Sequence, residues 1–222
     1  ERLAREQRFT ADAAHELRSP LAALKVQAEV LAMSSDEAEQ QHHLANIHES
    51  IDRANRLTEQ LLTLARLDPI QALPDAQPID WQHTAHQALQ SVNLQAREKR
   101  VQLKLECACG FGQVFPPLGN EVLLQLMLRN LLDNAIRYSP PNSHVTLTLD
   151  ANGLSVCDEG PGIAAEHLPR IRERFYRPPG QSQQGSGLGL SIVERIADLH
   201  GLRLDLANAD ERGLCVHMIK AV

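Results

Sequence analysis

The residues best suited to do chemistry are His15 and Glu16, which stand side by side in a segment with a helical pattern. A neutral imidazole has a free lone pair that can attack an electrophile such as phosphorus. A carboxylate that accepts the other ring N–H stabilises the positive charge that the ring gains during the attack. Glu16 is the first candidate for that carboxylate, and Asp12, three residues before the histidine on the same helix face, is the alternative. Arg18 lies three residues after the histidine, where its guanidinium would meet an incoming phosphoryl group.

The pattern around this pair predicts that the imidazole is displayed at a surface. Six apolar residues recur at alternating steps of three and four, as in helices that pack against other helices: Ala14, Leu17, Leu21, Leu24, Ala28 and Leu31. His15 follows one of these positions by one residue, so its side chain points away from the apolar seam. Pro20 lacks a backbone N–H, which leaves the carbonyl of Glu16 without its helical partner and favours a bend there. We therefore expect a first helix over residues 1 to about 33 with an outward-facing histidine.

A second helix is predicted after a polar connection at residues 34–40, and it runs to about Leu67. Ser35 and Asp36 are its candidate N-caps. One face of this helix carries a mostly apolar stripe: Leu44, Ile47, Ile51, Ala54, Thr58, Leu61 and Ala65. Leu57 and Leu64 lie beside the stripe. Two amphipathic helices in a hairpin leave apolar surface open, and a second copy of the chain would close it as a dimeric four-helix bundle. We therefore predict a helical hairpin at residues 1–68 that forms a homodimer.

A linker with three prolines precedes a second domain, and we place the linker at 69–78 and the domain at 79–222. In the domain we predict four helices, at 80–98, 119–138, 164–174 and from Gly187 to His200. We predict strands at 101–107, 112–115, 144–149, 154–158, 202–207 and 214–220, with a hairpin between the third and fourth of them. The expected fold class is α plus α/β: the helical hairpin is followed by an α/β sandwich with one mostly antiparallel sheet covered by helices.

Composition excludes several classes of protein. The chain has 222 residues and a formal net charge of −6, and its basic residues form no cluster with interleaved aromatic residues. We therefore expect no nucleic-acid partner. No apolar run approaches the length of a membrane span and no signal peptide is visible, so we expect a cytoplasmic location. The sequence opens on Glu1 within a helical pattern and without a methionine, so we expect it to be a fragment of a longer protein. The four cysteines match neither a zinc knuckle nor a C-x-x-C motif, and we expect all four to be reduced thiols.

The segment LRNLLDNAIRYSP places two amides on one helix face. Asn130 and Asn134 are four residues apart, and Arg137 falls on the adjacent surface with Tyr138 next to it. Asparagine is a poor helix former, so two of them on one face suggest that they bind a ligand. Two solvated amides on an ordinary helix would give the same pattern.

The segment DEGPGI, at residues 158–163, places a carboxylate at the end of a predicted strand. Asp158 would accept a hydrogen bond from an amino group. Gly160 and Gly162, with Ile163 after them, would let the backbone approach a flat ligand closely. An ordinary turn after a strand would also satisfy this sequence.

A polar loop at 177–187 is bounded by two further motifs, RERFYRPP and GSGLGLSIV. Phe175 and Arg177 introduce the loop, which we expect to be mobile. The second motif leads a glycine-rich turn into a helix, and N–H groups at a helix N-terminus bind phosphate well. Its spacing is neither that of a P-loop nor that of the dinucleotide fingerprint. The residues of this turn are Gly185, Ser186, Gly187, Leu188, Gly189 and Leu190.

Taken in this order, the motifs of the C-terminal half resemble the Bergerat-fold nucleotide-binding domain of sensor histidine kinases, gyrase-type ATPases, Hsp90 and MutL. The His-Glu segment resembles the phosphoacceptor box of sensor histidine kinases, and the two resemblances together cover about residues 5–220. They imply ATP and Mg²⁺ as cofactors, autophosphorylation of His15, and transfer of the phosphoryl group to an aspartate of a response-regulator receiver domain. The full-length protein would be an inner-membrane sensor. The segments AAHELRSPLAALKVQ and ERFYRPPGQ are similar to a QseC-like subgroup of this family.

The same resemblance implies a role for each residue of the nucleotide site. Asn130 and Asn134 would face the ATP phosphates, and Asn134 is the expected protein ligand of Mg²⁺. Arg137 would assist the phosphates, Tyr138 would line the base or the sugar, and Asp158 would read the adenine amino group. Residues 177–187 would form a lid over ATP. The remaining members of the implied site are Gly160, Gly162, Ile163, Phe175, Arg177, Gly185, Ser186, Gly187, Leu188, Gly189 and Leu190.

Two residues depart from the family's pattern. Arg172 stands where an aromatic residue is common. Ser19, four residues after His15, stands where Thr or Asn usually orients the water that dephosphorylates a partner, and the retained hydroxyl keeps a phosphatase activity as an expectation. Two other functions stay open: a gyrase- or Hsp90-type ATPase, which has a glutamate where Asn130 stands, and a phosphatase-biased module that only docks a partner.

Overall fold

The chain consists of two compact units in a computed structural model that describes residues 2–180, 185–209 and 212–221, with side chains from residue 10 onward. The units are Glu1–Ala65 and Arg66–Val222. The first is helical, and the second combines a sheet with helices. Among the helices of the described residues, none has both the length and the apolar character needed to span a bilayer.

The first unit is a hairpin of two long helices, as the apolar spacing predicts. Helix α1 covers Arg2–Met33 with Pro20 in its interior, and helix α2 covers Glu37–Leu67, its last two residues belonging to the second unit. Asp36 caps α2, because its Oδ2 accepts a hydrogen bond of 3.0 Å from the N–H of Glu39. The capping residue is therefore the second of the two candidates.

The hairpin covers only part of its apolar seam. Leu17, Leu24 and Leu31 are half-buried, whereas Leu21 stays 56% exposed. Further large apolar side chains are exposed on both helices: Val26, Val30, Met33, Leu44, Ile51 and Leu62. Apolar surface of this extent is characteristic of an interface with a further partner.

The second unit contains a five-stranded sheet in the order β2-β4-β5-β7-β6. Strands β2 and β4 are parallel, and the other neighbours are antiparallel, including the predicted β4–β5 hairpin. A separate two-stranded ladder joins β1 to β3. The strands are β1 (Gln77–Pro78), β2 (Gln102–Cys107), β3 (Leu118–Gly119), β4 (His144–Asp150), β5 (Gly153–Asp158), β6 (Leu202–Asn208) and β7 (Leu214–Lys220).

Three helices pack with the sheet: α3 (Trp81–Lys99), α4 (Glu121–Tyr138) and α5 (Gly189–Leu199). Side chains alternate along β4, so that Val145, Leu147 and Leu149 are fully buried while Thr146 and Thr148 lie on the opposite face. Helices α3 and α4 begin at polar caps: Asp80 accepts from the His83 N–H and Asn120 from the Leu123 N–H. This packing fixes α4, which carries the candidate phosphate-binding amides.

Two predicted elements are wrong. Residues 112–115 form no strand, and a 3-10 helix at Phe111–Gln113 leads into the prolines Pro116 and Pro117, which lack ladder donors. Residues 164–174 form successive turns instead of a helix, with Arg170 N–H donating to His167 O, because Pro169 interrupts the helical hydrogen bonds. The last helix begins at Gly189, two residues after the predicted Gly187.

The prediction of four reduced thiols is also wrong. Cys157 on β5 and Cys215 on β7 form a disulfide, whereas Cys107 and Cys109 are free. The two bonded residues are 58 positions apart in sequence and lie directly opposite each other in the β5–β7 ladder. Local cysteine spacing cannot reveal such a pair, since strand pairing alone brings the two residues together.

Candidate active site

The imidazole of His15 is exposed on α1, as its position beside the apolar seam predicts. Arg18 lies one turn later on the same face, and its Nη1 stands 3.5 Å from His15 Nδ1. Asp12 is exposed and Glu16 is half-buried, and among the described residues no hydrogen bond joins either carboxylate to the ring. The arginine is thus the group that the structure places beside the histidine, and the carboxylate partner stays a prediction. Ser19 is exposed next to Arg18.

Two amides of α4 converge on the start of α5. A Cβ built on Gly189 would stand 3.2 Å from Asn134 Nδ2 and 3.6 Å from both Asn134 Oδ1 and Asn130 Oδ1. The Asn130 amide donates its own N–H to the Leu126 carbonyl at 2.8 Å, which leaves its oxygen directed toward Gly189. A glycine at this position lets both amides reach the helix N-terminus, where N–H groups face a bound anion.

The guanidinium of Arg137 extends this cluster toward the glycine-rich turn. A Cβ built on Gly185 would lie 3.1 Å from Arg137 Nη1, and Nη2 of the arginine donates to Asp133 on the same helix. Lys99 donates to the Ile136 and Arg137 carbonyls at the end of α4. Burial, together with the nearby Arg137 charge, lowers the pKa of Lys99. This lysine is a supporting residue that the sequence motifs do not contain.

The carboxylate of Asp158 is buried at the end of β5. Its Oδ1 accepts hydrogen bonds from the Gly160 N–H at 2.7 Å and the Leu214 N–H at 3.2 Å, so that, among the residues that the structure describes, Oδ2 is the oxygen left for a ligand. Burial raises the pKa of the Asp158 carboxyl, and these two N–H groups act in the opposite direction. A Cβ on Gly160 would come within 2.8 Å of both Asp158 Oδ1 and the Tyr138 carbonyl oxygen. Glycine is therefore required for the carboxylate to sit where it does.

The turn after Asp158 is held by Asn208, a residue that sequence reasoning missed. Its Oδ1 accepts from the Ile163 N–H at 2.8 Å, and its Nδ2 donates to the Ile163 carbonyl at 2.7 Å. Gly162 has a φ of 71°, and a Cβ there would approach Asn208 Oδ1 to 2.8 Å. No local signal marks Asn208, because it stands at the end of β6, 45 residues from its partner.

The two ends of the predicted lid meet at Phe175 and Gly187. The Phe175 N–H donates to the Gly187 carbonyl at 3.1 Å, and both residues have positive φ, 64° and 70°. A Cβ on Gly187 would stand 2.7 Å from the Phe175 carbonyl carbon. Within the lid, Arg177 is exposed and Leu188 N–H donates to Ser186 Oγ at 3.1 Å. Residues 181–184 lie outside the described residues.

Arg172 and the first residues of α5 complete the surroundings of the lid. Arg172, which replaces the usual aromatic residue, pairs with Glu194 on α5 at 3.4 Å. Leu188 is fully buried immediately before α5, and Leu190 in its first turn is half-buried. An ion pair thus joins Arg172 to α5.

Both halves of the chain match family profiles, and a solved structure is similar to most of the chain. Residues 5–70 match the His Kinase A (phospho-acceptor) domain, and residues 119–221 match the histidine kinase-, DNA gyrase B- and HSP90-like ATPase. The cytoplasmic segment of the histidine kinase QseC is 34% identical in sequence, with a TM-score of 0.53, covering 77% of this chain and 93% of that one. The chain belongs to the histidine kinase family. The Bergerat fold and the QseC-like subgroup predicted from its motifs are confirmed.

Curated relatives place this histidine kinase within the same group. The sensor protein QseC of Escherichia coli strain K12 is 48% identical over 212 residues, which cover 95% of this chain and 46% of that protein. The chain thus spans about half the length of the curated relatives it matches. The histidine kinase ThkA, solved in complex with the response regulator TrrA, has a TM-score of 0.77 at 19% identity, covering 100% of this chain and 64% of that one. At that identity the likeness concerns the fold alone.

Proposed function

We propose that this histidine kinase uses ATP and Mg²⁺ to phosphorylate His15 and passes the phosphoryl group to an aspartate of a response-regulator receiver domain. The observation that carries the proposal is the convergence of the Asn130 and Asn134 amides on Gly189 at the start of α5, with Arg137 beside them. The exposed imidazole of His15 in a phosphoacceptor domain supplies the nucleophile.

The residues of this site fit ATP and Mg²⁺. An amide oxygen suits a hard cation that keeps water and phosphate oxygens as its other ligands, and Asn134 is the proposed protein ligand. Asn130, Arg137 and the N–H groups around Gly189 would hold the phosphates, while Asp158 Oδ2 would accept the adenine amino group. When bound, the magnesium ion would neutralise phosphate charge.

The remaining members of the pocket would shape it around the nucleotide. Tyr138 would line the base or sugar, and the backbone at Gly160, Gly162 and Ile163 would lie close to the ring. The proposed lid is closed at its base by Phe175 and Gly187. Arg177, Gly185, Ser186, Leu188 and Leu190 are the other residues we assign to it and to the phosphate turn.

At the phosphoacceptor, the ring nitrogen with the free lone pair would attack the terminal phosphorus of ATP in line, so that an N–P bond forms as the bond to the bridging oxygen breaks and ADP leaves. The approach of Arg18 Nη1 to within 3.5 Å of His15 Nδ1 supports a role for this arginine in attracting the incoming phosphoryl group. Glu16, or Asp12, would stabilise the ring's developing charge by accepting the other N–H. Ser19, one turn after the histidine, would orient the water for a phosphatase reaction on the partner.

The hairpin is proposed to act as a homodimer, and its apolar surface supports this assembly. Leu21, Leu44 and Ile51 remain exposed in the single chain. Pairing two hairpins would bury these side chains in a four-helix bundle. The response regulator would dock on the same helices. We further propose that the chain is the cytoplasmic part of a longer membrane sensor, as its likeness to the cytoplasmic segment of QseC suggests.

A gyrase- or Hsp90-type ATPase is less well supported, because its water-activating glutamate is replaced by Asn130. An amide cannot accept the proton of an attacking water. The half-buried position of Asn130, with its own N–H bonded to a backbone carbonyl, offers no substitute base. Labelling of the protein, as opposed to release of phosphate alone, distinguishes the two functions.

The decisive experiment incubates the protein with ATP labelled in the γ-phosphate. We expect acid-labile labelling that depends on Mg²⁺, that His15→Ala abolishes, and that moves to an added receiver domain. His48→Ala is the matched control, since His48 is also exposed on a helix of the hairpin but has no predicted role. Unchanged labelling of His15→Ala would refute the phosphoacceptor, and steady phosphate release without labelling would favour an ATPase.

A further inference from the structure

The Cys157–Cys215 disulfide occupies the last rung of the β5–β7 ladder. The pairing runs from Gly153 opposite Ile219 to Cys157 opposite Cys215 and ends there. The Cα atoms of the two cysteines are 4.1 Å apart, within reach of a bond without backbone movement. Strand ends separate more readily than strand centres, so a covalent bond at this rung constrains the part of the ladder most able to open.

The residues next to this rung build the proposed adenine site. Asp158 directly follows Cys157, and Leu214 directly precedes Cys215. The Leu214 N–H donates to Asp158 Oδ1 at 3.2 Å, and a Cβ built on Gly213 would lie 1.8 Å from the Asp158 carbonyl oxygen. The start of β7 is therefore packed directly on the backbone and carboxylate of Asp158, and its separation from β5 would release both.

The two cysteines lie outside the fully buried core. Cys157 and Cys215 are both half-buried. Their neighbours in the adjacent strands are the small side chains of Thr146 and Ala207. A disulfide between half-buried residues is more open to attack by a small thiolate than one enclosed in the core, and this attack is the first step of thiol–disulfide exchange.

We propose that Cys157 and Cys215 are a redox-modified site that tunes nucleotide affinity by clamping Asp158. Oxidised glutathione is the proposed oxidant: the two thiols lose two electrons and two protons as the S–S bond forms, and one glutathione disulfide leaves as two glutathione thiols. In the disulfide form the Leu214 N–H is held against Asp158 Oδ1, so Oδ2 is preorganised for the ligand. In the dithiol form the strand ends separate more often and the carboxylate is less well oriented.

The inference rests on the proposed binding of ATP at Asp158. Its test distinguishes a failure of the redox proposal from a failure of the proposed ATP binding. The protein is equilibrated in glutathione buffers of graded oxidation, the bond is quantified by alkylation and mass spectrometry, and the dissociation constant for ATP is measured at each ratio. We expect ATP to bind about three- to tenfold more tightly in the disulfide form, the range that preorganising one charged acceptor would supply. Equal or weaker binding by the disulfide form, or a bond that no glutathione ratio alters, would overturn the proposal.

Matched variants test whether a redox effect on ATP affinity arises from Cys157 and Cys215. Cys215→Ser should bind ATP like the reduced wild type at every ratio, whereas a Cys107→Ser, Cys109→Ser protein should keep the full redox response. Hydrogen exchange of the Leu214 amide in the wild-type protein gives a readout without mutation, and it should slow at least about threefold on oxidation. A response that survives in Cys215→Ser would overturn the assignment. A wild-type protein that fails to bind ATP in either state would overturn the proposed function and this inference with it.

Discussion

Replacement of Gly160 by alanine tests the adenine side of the proposed site. A Cβ at this position would stand 2.8 Å from Asp158 Oδ1 and 2.8 Å from the Tyr138 carbonyl oxygen, so one of the two must move. Gly160 does not have a positive φ, and the expected effect therefore arises from contact alone. The Tyr138 carbonyl belongs to the end of a packed helix, whereas the Asp158 carboxylate is a side chain. We expect the carboxylate to give way.

The expected loss of ATP affinity follows from the contacts that the displaced Asp158 carboxylate would lose. Its hydrogen bond from the Gly160 N–H, 2.7 Å long, would lengthen or break, and its free oxygen would no longer face the adenine. A hydrogen bond to a charged group contributes about 1.5–3 kcal/mol, which corresponds to about 10- to 150-fold in the dissociation constant for ATP. Overpacking of this kind also lowers the free energy of unfolding by about 1–3 kcal/mol.

The assay is equilibrium binding of ATP to the protein, accompanied by its thermal unfolding midpoint. Gly112→Ala is the matched control, because Gly112 also lacks a positive φ and a Cβ there would meet no heavy atom within 4 Å. We expect the control to bind ATP within about twofold of the wild type. A Gly160→Ala protein that binds ATP as tightly as the control would refute the role of Asp158 in the site.

Three further predictions concern other parts of the same unit. Gly187→Ala should weaken ATP binding about tenfold or more, because its Cβ meets the Phe175 backbone. Gly180 also has a positive φ, 82° against 70° at Gly187, but a Cβ there meets no atom within 4 Å, so Gly180→Ala should not weaken binding in this way. Asn130→Ala should slow autophosphorylation about 10- to 150-fold, measured as the initial rate of labelling at saturating ATP. Burial lowers the pKa of His200, whose Nε2 accepts from the Asn120 N–H. Neutral His200 therefore contributes its full stabilisation above the pKa of the unfolded state, about 6.5. This contribution is lost as the pH falls from there through the lowered pKa of the folded state. The unfolding midpoint of the wild type should thus drop more between pH 7.5 and 5.5 than that of His200→Gln, and equal drops would contradict this reasoning.

Elements with a long regular pattern could be predicted from the sequence alone. The two hairpin helices were predicted within a few residues because their apolar spacing persists over many turns. Strands β4 and β5 were equally clear, since segments in which apolar residues occupy every second position flank a turn signal. The prediction of a helix at 164–174 was wrong. The apolar positions of this segment suit a helix, but Pro169 lacks the backbone N–H that a helix requires there.

The motif residues of the site were predictable, but the residues that hold them were not. Asn130, Asn134 and Asp158 stand in short patterns whose residue types already suggest binding. Asn208 and Lys99 act on the site from other elements, each as a single polar residue with nothing unusual around it. Such contacts depend on strand order and helix packing, which the local sequence does not encode.

One backbone contact joins the two sides of the proposed nucleotide site. Gly160 packs against the carbonyl of Tyr138, the last residue of α4, and the amides that we propose to bind phosphate lie earlier on that same helix. Lys99 fixes the end of this helix by donating to the Ile136 and Arg137 carbonyls. A shift of α4 would therefore move the amides and the Asp158 turn together. Because both sides share one helix, a nucleotide that engages Asp158 as proposed would already be aligned with the amides, and the fold would set the distance between the proposed adenine and phosphate subsites before ATP binds.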